Sequence, residues 1–134
     1  MSGTLELIAA IVPRLKAWPA LAAIVGDRVL DPVPAATPTP YVSLGPITGF
    51  RVDADCIPGV EVTVQVDAWS TRPGLAEVLR MASAIEESLH SFETDLGAGS
   101  ALAVFSHRLT TTLRDPDGVT THAVVQFTAV IENP

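Results

Sequence analysis

Three histidines and one cysteine are the side chains of this chain best suited to act as bases, nucleophiles or metal ligands. His90 falls in a predicted helix, whereas His107 and His122 fall on the two arms of a predicted hairpin and would approach each other across it. No histidine or cysteine has another at the short spacing typical of a zinc site. Cys56 lies where no base can be placed beside it, so its position does not indicate a catalytic thiol. We predict no catalytic residue, no metal and no cofactor; the alternative is a small enzyme or ligand-binding domain that uses His107 and His122.

Acidic side chains near the end of a predicted helix do not form a catalytic pair. Glu86 and Glu87 are adjacent in sequence, so their side chains point about 100° apart on a helix. Gly97 and Gly99 lie close together, but the lysine and the following helix of a phosphate-binding loop are missing. We interpret this region as a solvated helix end followed by a break in the chain.

The element that would position these side chains is a strand followed directly by a helix. Valines at every second position from Val60 to Val66 alternate with polar residues, which is typical of a strand with one buried face. Trp69 ends the polar side, so we expect that side to meet more than water. A helix of about 18 residues, or about 27 Å, follows and is predicted to lie across the sheet. Its apolar stripe is predicted to comprise Leu75, Val78, Leu79, Ala82, Ile85 and Leu89.

Two helices are predicted before this unit and a long hairpin after it. Pro13 should bend the first helix or end its regular hydrogen bonding, and a second helix over residues 20–25 should be closed by Gly26. Residues 28–30 are predicted to form a short edge strand, and the four prolines of residues 31–40 an extended connector. Residues 102–114 and 121–132 should pair as a hairpin about a turn at 115–118. The stripe of the first helix is predicted to be Leu5, Ile8, Ala9, Val12 and Leu15.

The predicted fold class is therefore α+β, in one domain over residues 1–134. We expect an antiparallel or mixed sheet of about four to five strands, with a long helix packed across one face and helices at the N-terminus. Between the strand that begins at Tyr41 and the central strand, residues 46–59 form a long, poorly patterned excursion that should extend beyond the body of the sheet. It is either a contact surface or a floppy surface loop. On the first interpretation, the predicted interface comprises Phe50, Arg51, Val52, Asp53, Asp55 and Trp69.

The bulk composition excludes several classes of protein. The chain has 48% hydrophobic and 17% charged residues, which is typical of a globular protein. A net charge of −7 argues against a nucleic-acid groove or a surface for anionic lipid. One cysteine cannot form an internal disulfide, no basic segment precedes the first apolar residues, and no apolar run approaches the ~20 residues of a membrane span. We expect a soluble protein that is made inside the cell and has no membrane partner.

The order of four segments is similar to that of one family along nearly the whole chain. These segments are residues 21–29, 40–45 (Pro-Tyr-Val-Ser-Leu-Gly), 62–71 and 115–118 (Asp-Pro-Asp-Gly). In order and spacing they resemble the small tail-completion, or tail-terminator, proteins of long-tailed bacteriophages and of phage-derived particles such as gene transfer agents. The excursion of residues 46–59 is variable in such proteins, so its residues take no role from the resemblance.

The resemblance implies a structural protein of the virion with no enzymatic activity. Copies of such a protein form a hexameric ring at the head–tail junction, assembled in the host cytoplasm. The ring caps the major tail-tube protein and joins it to the head-side connector or stopper protein. DNA passes through its centre without sequence-specific binding, and an acidic lumen would repel the DNA backbone. The alternative within the same joint is a component of the head-side connector, or stopper, itself.

Overall fold

Five strands in one sheet organise the chain, with three helices packed against it. The computed structural model describes residues 3–54, 57–97 and 99–133. Strands follow one another across the sheet in the order β1-β2-β3-β5-β4, and every neighbouring pair is antiparallel except β1 and β2. The predicted α+β class with a mixed sheet is confirmed. In chain order the elements are α1 (Thr4–Ala17), α2 (Pro19–Val25), β1 (Val29–Leu30), β2 (Tyr41–Ala54), β3 (Ile57–Ser70), α3 (Ala76–Ser88), β4 (Ala101–Arg114) and β5 (Thr121–Glu132).

The two central strands carry the core. Alternate side chains of β3 and β5 point to the same side because the two strands pair residue for residue, from Gly59↔Glu132 to Ser70↔Thr121. Fully or almost fully buried residues alternate with partly exposed ones along β5, as its sequence pattern predicts. The buried residues of this layer are Val60, Val62, Val64, Val66 and Ala68 on β3 and Ala123, Val125, Phe127, Ala129 and Ile131 on β5.

Helix α3 packs on this layer as predicted, but with a different length and stripe. It has 13 residues, or about 20 Å, and ends before Leu89, which continues the buried layer from a turn. Leu79 was expected to be buried and is 46% exposed, so that assignment is wrong. Met81 and Ala84 are buried instead, because they lie on the same side of the helix as Val78 and Ile85.

The buried stripe of α1 also differs from the prediction. Leu7, Ile11 and Leu15 are fully buried, whereas Leu5 is 77% exposed and Ala9 is exposed. Apolar residues nearly fill residues 5–12, so helical spacing alone allows two stripes, and packing against the sheet and α3 selects one. The helix continues past Pro13 to Ala17, so the proline does not end it.

The second helix and the connector follow the prediction more closely. Helix α2 ends at Gly26, whose φ of 63° lies in the left-handed region, and residues 31–40 contain neither helix nor strand. No single helix in the described ranges is long and apolar enough to cross a membrane. Helices α1 and α2 meet that criterion only as a pair bent by 77°, and Leu15 and Leu21 on either side of the bend are fully buried in the core.

The excursion predicted for residues 46–59 is mostly regular sheet. After a bulge between Leu44 and Ile47, the pairing of β2 with β3 runs without interruption to Ala54↔Ile57. Only the last pairs of this hairpin project past the end of β5. The floppy-loop interpretation is therefore wrong for the described residues. Glycines hid the strand pattern: a Cβ on Gly59 would lie 3.1 Å from the backbone oxygens of Val52 and Ile131, so a side chain there would crowd both neighbouring strands.

The hairpin of β4 and β5 and its turn are confirmed. Asp115 and Thr120 close the turn through a 2.9 Å backbone hydrogen bond, and Gly118 has a φ of 73°. The Asp117 carboxylate accepts bonds from the Thr120 hydroxyl (2.6 Å), the Thr120 amide (2.8 Å) and the Val119 amide (2.9 Å). These bonds, the Thr120 hydroxyl first, lower the pKa of Asp117 below its usual value.

Candidate interaction face

The sheet has one face covered by helices and one that no described helix covers, which we call the open face. Residues of the helix-covered face belong to one core cluster with the buried side chains of α1, α2 and α3. Most residues of the open face are partly or largely exposed, except Ser43 and Asp67, which are buried. With strands about 4.8 Å apart and a rise of about 3.3 Å per residue, this face measures about 19 by 40 Å, or about 800 Å².

Large apolar side chains lie along both edges of the open face. Phe50 on β2 is 53% exposed. Three residues of β4 accompany it at the other edge: Val104 (50%), Leu109 (48%) and Leu113 (47%). Their partners in the strand register are Glu61, Val130, Gln126 and His122, which are open-face residues of β3 and β5. Exposed apolar surface gathered on one face is typical of a protein–protein contact.

A polar network of side chains from β2, β3 and β5 lies at one end of the open face. The rings of Trp69 and His122 stack with centroids 3.7 Å apart and planes inclined by 10°. His122 Nε2 lies 2.7 Å from Asp67 Oδ1, which also accepts a 3.0 Å bond from Gln65 Nε2. Trp69 Nε1 donates to Ser43 Oγ at 3.0 Å. Asp67 is only 5% exposed as a result, although it belongs to the uncovered side of the sheet.

This network contains a serine, a histidine and an aspartate, but not the geometry of a catalytic triad. In a triad the serine hydroxyl bonds to the ring nitrogen that the aspartate leaves free. Here Ser43 Oγ accepts a hydrogen bond from Trp69 Nε1 instead. The same indole stacks on the flat face of the His122 ring. The arrangement links side chains of β2, β3 and β5 and directs the Ser43 hydroxyl to Trp69 rather than to His122.

The two histidines predicted to approach each other lie on opposite faces, so that prediction is wrong. His107 pairs with Phe127 and His122 with Leu113 in the register of the hairpin. The ring of His107 lies on the helix side, 3.3 Å from Glu86 Oε1 and 2.7 Å from Thr110 Oγ1. The turn places residue 113 opposite residue 122, so His107 lies six residues further along β4. The bulge between His107 and Leu109 then moves its side chain to the helix side. The described residues contain no group of three or more histidine, cysteine or acidic side chains able to hold a metal ion.

The predicted interface residues do not form one patch. Phe50 and Val52 point to the open face, whereas Arg51 lies between them on the helix side, level with Val60. Trp69 is half-buried and belongs to the polar network. The side chain of Asp53, together with Asp55 and Cys56, lies outside the described residues.

Two adjoining grooves run beneath β4 on the helix side. Ser91, Phe92, Glu93 and Asp95 face residues 102–105 across the first groove. The second continues past His90, Phe105 and His107. The floor is aromatic, since Phe105 contacts both Phe92 (centroids 5.3 Å apart) and Phe127 (5.2 Å). The first groove therefore combines an apolar floor with two carboxylates at its rim.

Comparison with known proteins identifies the family. Residues 9–132 match the family described as "Tail completion protein gp17". The chain belongs to this family. The family expected from the order of the segments is confirmed, and it consists of structural proteins of phage tails.

A solved structure supports the assignment. One chain of a structure described as the virion of a native gene transfer agent particle has the same fold, with a TM-score of 0.82 and 26% sequence identity. The match covers 94% of this chain and 94% of that one. Comparison with curated protein sequences finds no significant match.

Sequence reasoning missed the part of the open face that β4 contributes. Two bulges, between Leu102 and Val104 and between His107 and Leu109, each insert one residue and reverse the alternation. Apolar residues that seem scattered in the sequence, such as Val104 and Leu109, consequently share one face. The pairing with the regular strand β5 is the only signal that would have revealed it.

Proposed function

We propose that this protein forms a homo-hexameric ring that ends the tail tube and joins it to the head-side connector. The observation that carries the proposal is the open face. Its area of about 800 Å² equals what one partner contributes to a standard protein interface, and exposed apolar side chains lie at both of its edges. A free subunit leaves this face in water, whereas a ring in contact with a tube would bury it.

The proposed partners are other copies of the chain, the major tail-tube protein and the head-side connector or stopper protein. Membership of the tail completion family and the fold shared with a chain of a gene transfer agent virion support this setting. We place the protein at the head–tail junction, assembled in the host cytoplasm, with residues 1–134 acting as one domain. It has no catalytic role in this proposal.

DNA would pass through the centre of the ring without being bound in a sequence-specific way. The net charge of −7 supports this view, because an acidic lumen repels the phosphate backbone and lets the duplex slide. Six copies would together carry a large negative charge around the channel.

Deleting the gene in cells that produce the particles tests the proposal directly. We expect filled heads without attached tails and tails of irregular length, both visible by negative-stain electron microscopy. Complementation with the intact gene should restore joined particles. Uniform tails that are firmly attached to filled heads in the absence of this protein would falsify the proposed function.

The first prediction concerns Phe50. Phe50→Thr keeps a residue that favours strands but removes an exposed aromatic side chain from the edge of the open face. We expect it to reduce the yield of joined particles about tenfold or more, because an aromatic side chain buried in an interface contributes ~2 kcal/mol. Val119→Thr is the matched control, since Val119 is 59% exposed in the β4–β5 turn, away from the open face. Equal yields for the two variants would mean that Phe50 is not part of the interface.

Copurification with partial particles distinguishes a tail terminator from a stopper. A terminator should copurify with tail tubes when heads are absent, whereas a component of the connector should copurify with heads when tails are absent. Mass spectrometry of tails from a mutant that makes no heads distinguishes the two roles.

A further inference from the structure

The two edges of the sheet are both open to pairing. Strand β4 has 14 residues, and no other described strand pairs with its outer edge. It contains neither lysine nor proline, two residues that commonly protect exposed edges, and two bulges interrupt it at Ala103 and Arg108. At the opposite edge, β1 pairs only with Val42 and Ser43, so the rest of β2 has no strand on its outer side among the described residues.

The directions of the strands make these two edges complementary. Strands β2 and β5 run one way and β3 and β4 the other, because the pairs between them are antiparallel. Two copies placed side by side in the same orientation bring β4 of one next to β2 of the other in antiparallel directions. Such a head-to-tail contact uses two different surfaces and can close into a ring.

The register brings apolar residues to the same level at the two edges of the open face. Phe50 is level with Glu61, Val130 and Val104 across the four long strands. In the side-by-side arrangement, Phe50 of one copy therefore lies next to Val104 of its neighbour. Both side chains are about half exposed in the single subunit, and a cross-strand pair of an aromatic and a β-branched residue stabilises a sheet.

On the helix side of the sheet, the charges at the two edges of neighbouring copies are complementary. Arg51 is on the helix side of β2, level with Val60, Ile131 and Leu102. Leu102 lines the groove whose rim carries Glu93 and Asp95. The same alignment that pairs Phe50 with Val104 thus brings Arg51, which is exposed, to the level of the groove that carries these two carboxylates in the neighbouring copy.

We propose that the ring closes by strand addition: residues 101–107 of β4 in one copy pair with residues 47–52 of β2 in the next. Val104 then covers Phe50 on the open face, and the groove beneath β4 takes Arg51. The inference rests on the proposed ring, because it names the surface by which copies of this chain meet.

Cysteine cross-linking in assembled particles tests the alignment. Thr48 and Ser106 are exposed open-face residues at the same level of the sheet. In a Cys56→Ser background, Thr48→Cys combined with Ser106→Cys should give a ladder of disulfide-linked oligomers after oxidation with diamide. The Cβ atoms of directly opposed residues lie about 4.5–5.5 Å apart, close enough for a disulfide after a small adjustment.

The matched control moves one cysteine along β4. Thr111 is also exposed on the open face but is level with Ser43, about 13 Å from Thr48 along the strand direction. Thr48→Cys with Thr111→Cys should give no ladder. A ladder from the control alone, or from neither pair in particles that contain the ring, would overturn the strand pairing and leave the ring itself intact. Absence of any ring by electron microscopy would overturn both proposals.

Exchanging charges tests whether Arg51 lies in the groove of the neighbouring copy. Arg51→Glu should reduce the yield of joined particles about tenfold or more, as close interfacial charge pairs do when one partner is reversed. Adding Glu93→Arg should restore most of the yield. Arg80→Glu is the control for the charge change, because Arg80 is exposed on α3, away from both edges. Failure of Glu93→Arg to improve assembly of the Arg51→Glu variant would contradict the placement of Arg51 in the groove.

Discussion

Gly45 is the residue on which the polar network of the open face depends most directly. A Cβ at this position would lie 2.5 Å from Asp67 Oδ2 and 2.8 Å from both Cγ and Nε2 of Gln65. Those side chains cannot move aside freely, because Asp67 is held by His122 and Gln65. The glycine is required by this close approach rather than by its backbone angles.

Gly45→Ala should therefore destabilise the subunit. We expect a loss of about 1–3 kcal/mol, the usual cost of inserting a methyl group into a packed site, together with a change in the fluorescence of Trp69 as its stacking on His122 shifts. Urea denaturation followed by fluorescence measures both. Thr48→Ala, at an exposed position of the same strand, should change stability by no more than about 0.5 kcal/mol. A Gly45→Ala variant as stable as the Thr48→Ala control would show that the network adapts at little cost.

At the scale of elements, regular strands were predictable and irregular ones were not. The uninterrupted alternation of residues 121–132 predicts β5 with its correct bounds and its buried side. Strand β2 contains a bulge at Gly45 and Pro46, and β4 contains two, so a period of two is lost in each sequence. The sequence pattern therefore singled out Phe50 but not Val104, Leu109 and Leu113, which are also exposed on the open face.

The helices show a second limit of sequence reasoning. The periodicity of α1 is ambiguous because its apolar residues nearly surround the helix, and only tertiary packing selects Leu7 and Ile11 over Leu5 and Ala9. The polar network was not predictable from the sequence either. Trp69 was expected to meet a partner, but its indole is used to cover His122 and bond Ser43 within the subunit.

The turn between β4 and β5 gives a prediction about pH. The pKa of Asp117 is lowered in the folded state, first by the Thr120 hydroxyl and then by the Thr120 and Val119 amides. Its carboxylate thus stabilises the fold above the unfolded pKa of about 3.9, and this contribution disappears as the pH falls through the lowered folded value. Asp117→Ala should lower the urea midpoint at neutral pH, and its difference from the unmodified chain should narrow below about pH 4. An unchanged difference for Asp117→Ala down to pH 3 would contradict the assignment.

At the scale of the whole molecule, the core is complete without the open face. Every large buried side chain, including Phe127, Met81 and Leu21, belongs to the layer between the sheet and the helices. The subunit should therefore fold before it meets another copy.

This separation of core and interface predicts that unfolding does not depend on protein concentration. The urea midpoint of the isolated chain should be the same at about 1 and 50 µM, because a two-state monomer has no association term. Phe50→Thr should leave this midpoint nearly unchanged, in contrast to its effect on particle yield. A midpoint that rises with concentration would indicate that folding requires self-association.

The position of β5 has a consequence for the timing of assembly. This strand is the last of the five to be synthesised, yet it lies inside the sheet and is all that connects β4 to β3. Until β5 has been synthesised, β4 has no sheet to join, and pairs such as Ser70↔Thr121 cannot form. A chain without β5 thus lacks one of the two edges that the proposed strand addition joins, so it cannot extend a ring in that direction.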